Sequence, residues 1–217
     1  MKRIDIPHIV LNKDGLYSGD LKHYFRALFI HATNLWNPYH NFRHMTHVLW
    51  WTYDACHYYY PSLSPEKIRS MLVAAFLHDA DHSGHLGNDR KEIERALRFF
   101  DQYHDPIDRE LSPDIHRLMG TTLFPHQKSA DLPLDEQILR DADMVQGLDD
   151  AWIQQVVFGL SKEEGVSPLV VLERQEPFLR GLTFYTDWAR EHFGPTVIEK
   201  RINEARELLA FLRNGNE

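Results

Sequence analysis

Apolar positions along the chain recur at helical spacing, and nowhere do they alternate as a half-buried strand requires. Leu21, Tyr24, Phe25, Leu28 and Phe29 share one face of a helix predicted from about Asp20 to Ala32. Residues 1–19, with turn signals at Asp14-Gly15 and Ser18-Gly19, read as an irregular arm in front of it. Asn37-Pro38 breaks the chain, and a second helix is predicted from about His40 into the Tyr58-Tyr59-Tyr60 cluster, where Pro61 ends it. Ser64-Pro65-Glu66 supplies an N-cap, a proline at the first helical position and an early acid, and so opens a third. Its run from Met71 to Leu77 is apolar almost all round, the pattern of a helix buried through the centre of a domain.

Gly84 and Gly87 then supply a turn, and Asn88 can cap a fourth helix reaching about Asp101. Ser112-Pro113-Asp114 starts another, through about Thr122, and Pro133 with Asp135 and Glu136 opens one through Asp143. Ser167-Pro168 begins a long helix to about His192, and Pro195 a last one. No repeat period or low-complexity linker divides the chain. The expected fold is all-α, with residues 1–217 forming a single compact helical domain.

Composition narrows the function classes. A chain of 217 residues encloses a sizeable core, and 32 acids against 24 bases give a net charge of −8. That balance provides no bulk attraction to nucleic acid or to an anionic membrane, while leaving room for a local basic pocket. The single cysteine, Cys56, excludes an internal disulfide framework and reads as a small buried hydrophobe in a reducing compartment. Met1 to Asp5 lack the apolar stretch of a secretory signal, and no segment approaches about 18 apolar residues. A cytoplasmic location is therefore expected. The aromatic run from Trp50-Trp51 to Tyr58-Tyr59-Tyr60 is more than one core readily hides, which is compatible with a homo-oligomer.

The 14 histidines change the picture, because many cluster in two strings. The first is Tyr39-His40-Asn41-Phe42-Arg43-His44, and the second is His78-Asp79-Ala80-Asp81-His82-Ser83-Gly84. His40 and His44 are four apart, which on the predicted helix puts them on one face; His47, near that face, reads as a packing residue. His78 and Asp79 emerge at the end of the buried helix, where two ionisable groups are costly unless paired or metal-bound. Further along, Asp141 and Asp143 both flank the apolar face formed by Ile138, Leu139, Ala142 and Val145, and spacing does not choose between them. Neutral imidazoles with carboxylates suit a divalent transition metal or a zinc/magnesium pair.

Both strings resemble motifs of the HD superfamily of metal-dependent phosphohydrolases, and their wording is similar to the catalytic domain of class I cyclic nucleotide phosphodiesterases. The shared patterns are Tyr-His-Asn-x-x-His, at Tyr39 to His44, and His-Asp-x-Asp-His-x-Gly, at His78 to Gly84. The resemblance implies that His44, His78, Asp79 and a late aspartate hold a first divalent ion, with Asp79 bridging to a second. The family's alanine-then-aspartate order picks Asp143 for the late ligand. The ion, one or two of Mn, Mg, Zn or Fe, would activate a water to hydrolyse a nucleotide or other small phosphate ester. His40 matches the proton donor to the leaving oxygen, and Asp81 and His82 match positions supporting the second ion and its waters.

For the substrate, Asn88 stands one residue later than the family's asparagine, and His126 follows Thr121-Thr122 as in a pocket-lining element. Gln175 and Phe178 have the spacing of a purine clamp, which would make the protein a cyclic nucleotide phosphodiesterase proper. The C-terminal third is shorter than the eukaryotic pattern and suggests a compact, prokaryote-like relative. Two other classes remain to be weighed. An HD-type di-iron oxygenase needs further ligands from His82, His116 or His126, and a non-catalytic module binding a nucleotide or protein needs no intact motif set.

Overall fold

One helix, α3 (Pro65–Leu77), is closed off from solvent at Ile68 and at every residue from Ser70 to Leu77. Ser64 caps it, its hydroxyl accepting from the Lys67 N–H at 3.3 Å. The computed structural model describes residues 21–85, 87–125 and 131–214; among these the chain is helical and has no strand. The predicted arm over residues 1–19 and His126 lie outside the described residues.

The fold is an all-α, compact single domain built outward from α3. Helices α2 (Phe42–Tyr58) and α5 (Ser112–Thr121) flank α3, and α6 (Leu134–Met144) packs on all three. Helix α1 (Lys22–His31) sends Tyr24, Phe25 and Leu28 inward, and α4 (Asp89–Tyr103) lies against α5. Phe76 joins three helices, with the rings of Phe25 and Phe42 at 4.4 and 6.1 Å from its own. A buried carboxylate, Asp108, ties α1 to α3: it accepts from the Tyr24 hydroxyl and Arg69 Nη2, at 2.7 and 2.8 Å. On the C-terminal side α8 (Pro168–Gly181) packs against α10 (Pro195–Asn214), and α9 (Asp187–Phe193) inserts Trp188 into the main core.

Three departures from the expected elements bear on the site. The second helix begins at Phe42, because the Asn41 side chain accepts from the N–H groups of Arg43 and His44 and so caps it. His40 therefore precedes the helix and does not share a face of it with His44. The long helix expected from Ser167 to His192 is two helices, α8 and α9, joined by an extended link over residues 182–186. Buried Asp141 replaces the lost helical bonds there, accepting from the Tyr185 and Thr186 N–H groups and the Thr186 hydroxyl. Thr186 in turn caps α9 through the Ala189 N–H. Finally, residues 144–166, unassigned by pattern, are largely helical. A 3-10 turn (Val145–Leu148) leads to a π-helical stretch (Ile153–Leu160), which runs into the short α7 (Ser161–Glu164).

Glycine makes the last of these possible. A Cβ on Gly159 would meet the Pro38 carbonyl oxygen at 2.8 Å and the Tyr39 Cβ at 3.2 Å. Its absence lets the π-helical stretch lie directly on the segment that carries His40.

Of the aromatic run, Trp51 packs edge-on against Phe193, whereas Trp50, Tyr58 and Tyr60 stay exposed. Cys56 is buried, and no helix of the described residues is long and apolar enough to cross a membrane. The core's dependence on α3 is measurable. Phe76→Ala should cost about 3–5 kcal/mol in urea unfolding. A loss below about 1 kcal/mol would mean the helix junction does not rest on that ring.

Candidate metal centre

The capped start of α2 and the buried end of α3 bring two imidazoles together. His44 Nε2 and His78 Nε2 are 3.2 Å apart, and both rings are buried. Asp79, the residue after His78, places Oδ2 3.2 Å from each of these nitrogens. Asp143, in the last turn of α6, places Oδ1 at 3.2 Å from His44 Nε2 and 3.3 Å from His78 Nε2. Asp141, the competing candidate, faces the other way into the 182–186 link, where burial pushes its carboxyl up to about 6 against the opposing Thr186 hydrogen bond.

Both imidazoles are oriented from behind. His78 Nδ1 donates to the Ala75 carbonyl at 2.8 Å, and His44 Nδ1 donates to Gln146 Oε1. Each neutral ring therefore turns a lone pair on Nε2 toward the other ring and toward the two carboxylates. Asp79 Oδ2 is buried and has no hydrogen-bond donor. Two lone pairs and two carboxylate oxygens meeting in the interior repel unless positive charge lies among them. Neighbouring donors around one divalent cation, bound at about 2.0–2.2 Å, are separated by about 3.0–3.4 Å. His44, His78 and Asp79 thus fit a divalent cation, with Asp143 at the same spacing from both imidazoles as a fourth donor.

Without a cation, protons fill that role. Burial pushes His44 down, but hydrogen bonds to Asp143 and Asp79 prevail and carry it up to about 9. His78 is likewise raised well above its ordinary value, against burial, by Asp79 and Asp143. Burial favours neutral acids, yet the charge on His78 and the contacts from both imidazoles hold Asp79 and Asp143 below the usual carboxylate range.

Beside the quartet stands a second group: His40, His82 and Glu163. Glu163, in α7, accepts from the N–H groups of Tyr39 and His40 at 2.8 and 2.9 Å and from His40 Nδ1 at 2.6 Å. Burial pushes the Glu163 carboxyl up, but these bonds and the His40 charge outweigh it and hold the group below its ordinary value. His82 stacks flat on His40, with ring centroids 3.9 Å apart and planes 15° from parallel. Its Nδ1 accepts from the Gly84 N–H at 3.0 Å, and burial, with the His40 charge beside it, lowers it to about 4.

Both groups open on one cavity of about 360 Å³. Gln175 and Phe178, one turn apart on α8, line it together with Val156, Leu160 and Val171. Gln175 Nε2 donates to the Val171 carbonyl at 3.2 Å, which leaves its buried Oε1 unpaired. Thr122 also lines the cavity. Asn88 does not; it caps α4, and the cavity wall there is formed by Asp89 and Glu92. Asp81 turns away from the quartet to accept from the Thr33 N–H and hydroxyl. His116 pairs with Asp101 at the surface, and His47 accepts from Trp51 Nε1.

Glu163, Gln146 and Asn34 escaped the sequence reading. Glu163 sits in Ser-Lys-Glu-Glu, which reads as an ordinary solvated helix end, and its partner is 123 positions away. Gln146 lies three residues after Asp143, a helical spacing that alone singles out nothing. Asn34, buried, donates to the carbonyls of His40 and Asp79 at 3.0 and 2.8 Å and accepts from the Asp81 N–H at 2.9 Å, stapling the two motif strings together.

No protein-family model and no curated protein matches this sequence. The fold is similar to that of the phosphodiesterase domain of the rhodopsin phosphodiesterase of Salpingoeca rosetta, known from its crystal structure. The TM-score is 0.67 and the identity 16%, over 91% of this chain and 83% of that one. At that identity the likeness is one of fold.

The quartet predicts a proton linkage. Since His44 stands at about 9 without a cation, Mn²⁺ uptake below that pH must displace imidazole protons. Affinity should fall by about tenfold per pH unit for each proton displaced as pH drops from 9 to 6. Titration calorimetry at pH 7 in buffers of different ionisation enthalpy should show protons released. Heats independent of the buffer would contradict the assignment.

Proposed function

We propose that this protein is a metal-dependent phosphoric ester hydrolase acting on a nucleotide or other small phosphate ester. The observation that carries the reading is the convergence of His44, His78, Asp79 and Asp143 in the same cavity that His40 enters, backed by Glu163. The fold's likeness to a phosphodiesterase domain supports it. A divalent cation held by those four residues, with His44 and His78 as neutral ligands, would supply Lewis acidity and a water of lowered pKa.

The chain's own residues supply the rest. Glu163 fixes His40 Nδ1 as a donor, so Nε2 is the nitrogen left to carry a proton to the leaving oxygen. The charge that His40 bears in that form is matched by Glu163 at 2.6 Å. His82, stacked on His40 and held neutral, keeps the ring's plane without adding a second positive charge. Val156, Leu160 and Val171 make part of the cavity wall apolar. There Gln175, its Oε1 buried and unpaired, would have to turn its amide to the cavity to accept from a base amino group, with Phe178 against the ring face. That arrangement favours a nucleotide, a cyclic one included, over a bare sugar phosphate.

The test uses metal-stripped protein with Mn²⁺, Mg²⁺, Zn²⁺ or Fe²⁺ restored. Cyclic AMP, whose leaving group is an alkoxide, is compared with bis-p-nitrophenyl phosphate, whose leaving group needs no proton. His44→Ala, His78→Ala and Asp79→Asn should reduce both activities to background. His40→Ala and Glu163→Gln should lower kcat for the alkoxide ester, by about 10²–10⁴-fold for His40→Ala, and affect the nitrophenyl ester by less than about tenfold. Folded ligand variants with full activity would overturn the reading. Equal losses on both esters would remove His40 as the acid.

A further inference from the structure

A second cavity, of about 310 Å³, lies behind the metal-ligand loop. Arg95, Arg98 and Gln102 line it from successive turns of α4, and His31 and Thr33 line it from the end of α1. The two arginines differ. Arg95 is engaged: its Nε donates to the Asp81 carbonyl at 2.6 Å, and it lies within ion-pair reach of Asp81 and Glu92. Arg98 has no hydrogen-bond or ion-pair partner among the described residues. The one carboxylate in the lining, Asp81, is already bound to Thr33, so the cavity is net positive in a chain of net charge −8. Part of the lining is aromatic: the His31 and Tyr103 rings stack on each other at 4.2 Å with planes 6° apart.

We infer that this cavity binds a small phosphate monoester, with Arg98 holding the phosphate and the His31–Tyr103 pair meeting its organic part. A free guanidinium presents the forked donors that phosphate oxygens accept bidentately. The volume lies at the lower end for ligand pockets, which suits a mononucleotide or smaller and excludes a macromolecule. The site has a path to the metal centre. Thr33 holds the Asp81 carboxylate, and Asn34, next in sequence, bonds the backbone of Asp81, Asp79 and His40. An occupant pulling on Arg95 or Thr33 therefore loads the loop that carries Asp79.

The binding claim stands apart from the hydrolase reading and is tested without catalysis. Calorimetry on metal-stripped protein would use AMP, inorganic phosphate and adenosine as probes. AMP should bind more tightly than inorganic phosphate, and adenosine should not bind measurably. Arg98→Ala and Arg98→Gln should each weaken AMP by about tenfold or more. Arg98 is exposed and unpaired, so both variants keep the fold, which circular dichroism checks. Absence of AMP binding, binding indifferent to Arg98, or inorganic phosphate binding as well as AMP would each overturn the inference.

Discussion

Two imidazole nitrogens and two carboxylate oxygens, from two helices and the turn that ends a third, meet inside this protein at separations of 3.2–3.3 Å across the His44–His78 pair. Such a meeting is repulsive unless positive charge sits within it, and the architecture follows from that constraint. From Met71 to Leu77 helix α3 is apolar on every side, so its end lies deep, where His78 and Asp79 lose water. Helix α2 starts late enough, behind the Asn41 cap, to place His44 in its first turn beside them. Gln146 and the Ala75 carbonyl then consume the outer nitrogens, leaving the inner ones no role but to bind a cation or a proton.

The His40 side of the site depends on a different contact. Glu163 reaches His40 only because the π-helical stretch closes on Pro38 and Tyr39, and the hydrogen atom of Gly159 is what fits between them. π-Helical segments are uncommon and tend to occur where function requires a re-aimed side chain. Here the segment aims α7 at the start of the first motif. Asn34 completes the arrangement by bonding both motif strings, so His40 and Asp79 share one rigid support.

Much of the fold was legible because its signals are local. Ser64-Pro65-Glu66 and Ser112-Pro113 announce helix starts, and the run before His78 announces burial through the core. The quartet was legible through its two contiguous strings, whereas spacing could not separate Asp143 from Asp141. The structure separates them by side: Asp143 faces the imidazoles, and Asp141 faces an extended link that periodicity had continued as helix. That link and Glu163 were hidden for one reason. Each is specified by a partner more than forty residues away, the 182–186 link by Asp141 and Glu163 by His40, and no local pattern records it. His40 lies outside the helix because the Asn41 side chain caps it at Arg43 and His44, a start signal masked in the sequence by the Asn37-Pro38 break just before it.

The most direct test of this account is the position of a bound metal in a crystal of the protein grown with Mn²⁺. Anomalous diffraction should show a peak bonded to His44 Nε2, His78 Nε2 and the carboxylates of Asp79 and Asp143, at about 2.0–2.2 Å. A peak held instead by His40, His82 and Glu163, or no ordered peak with the four residues intact, would contradict it.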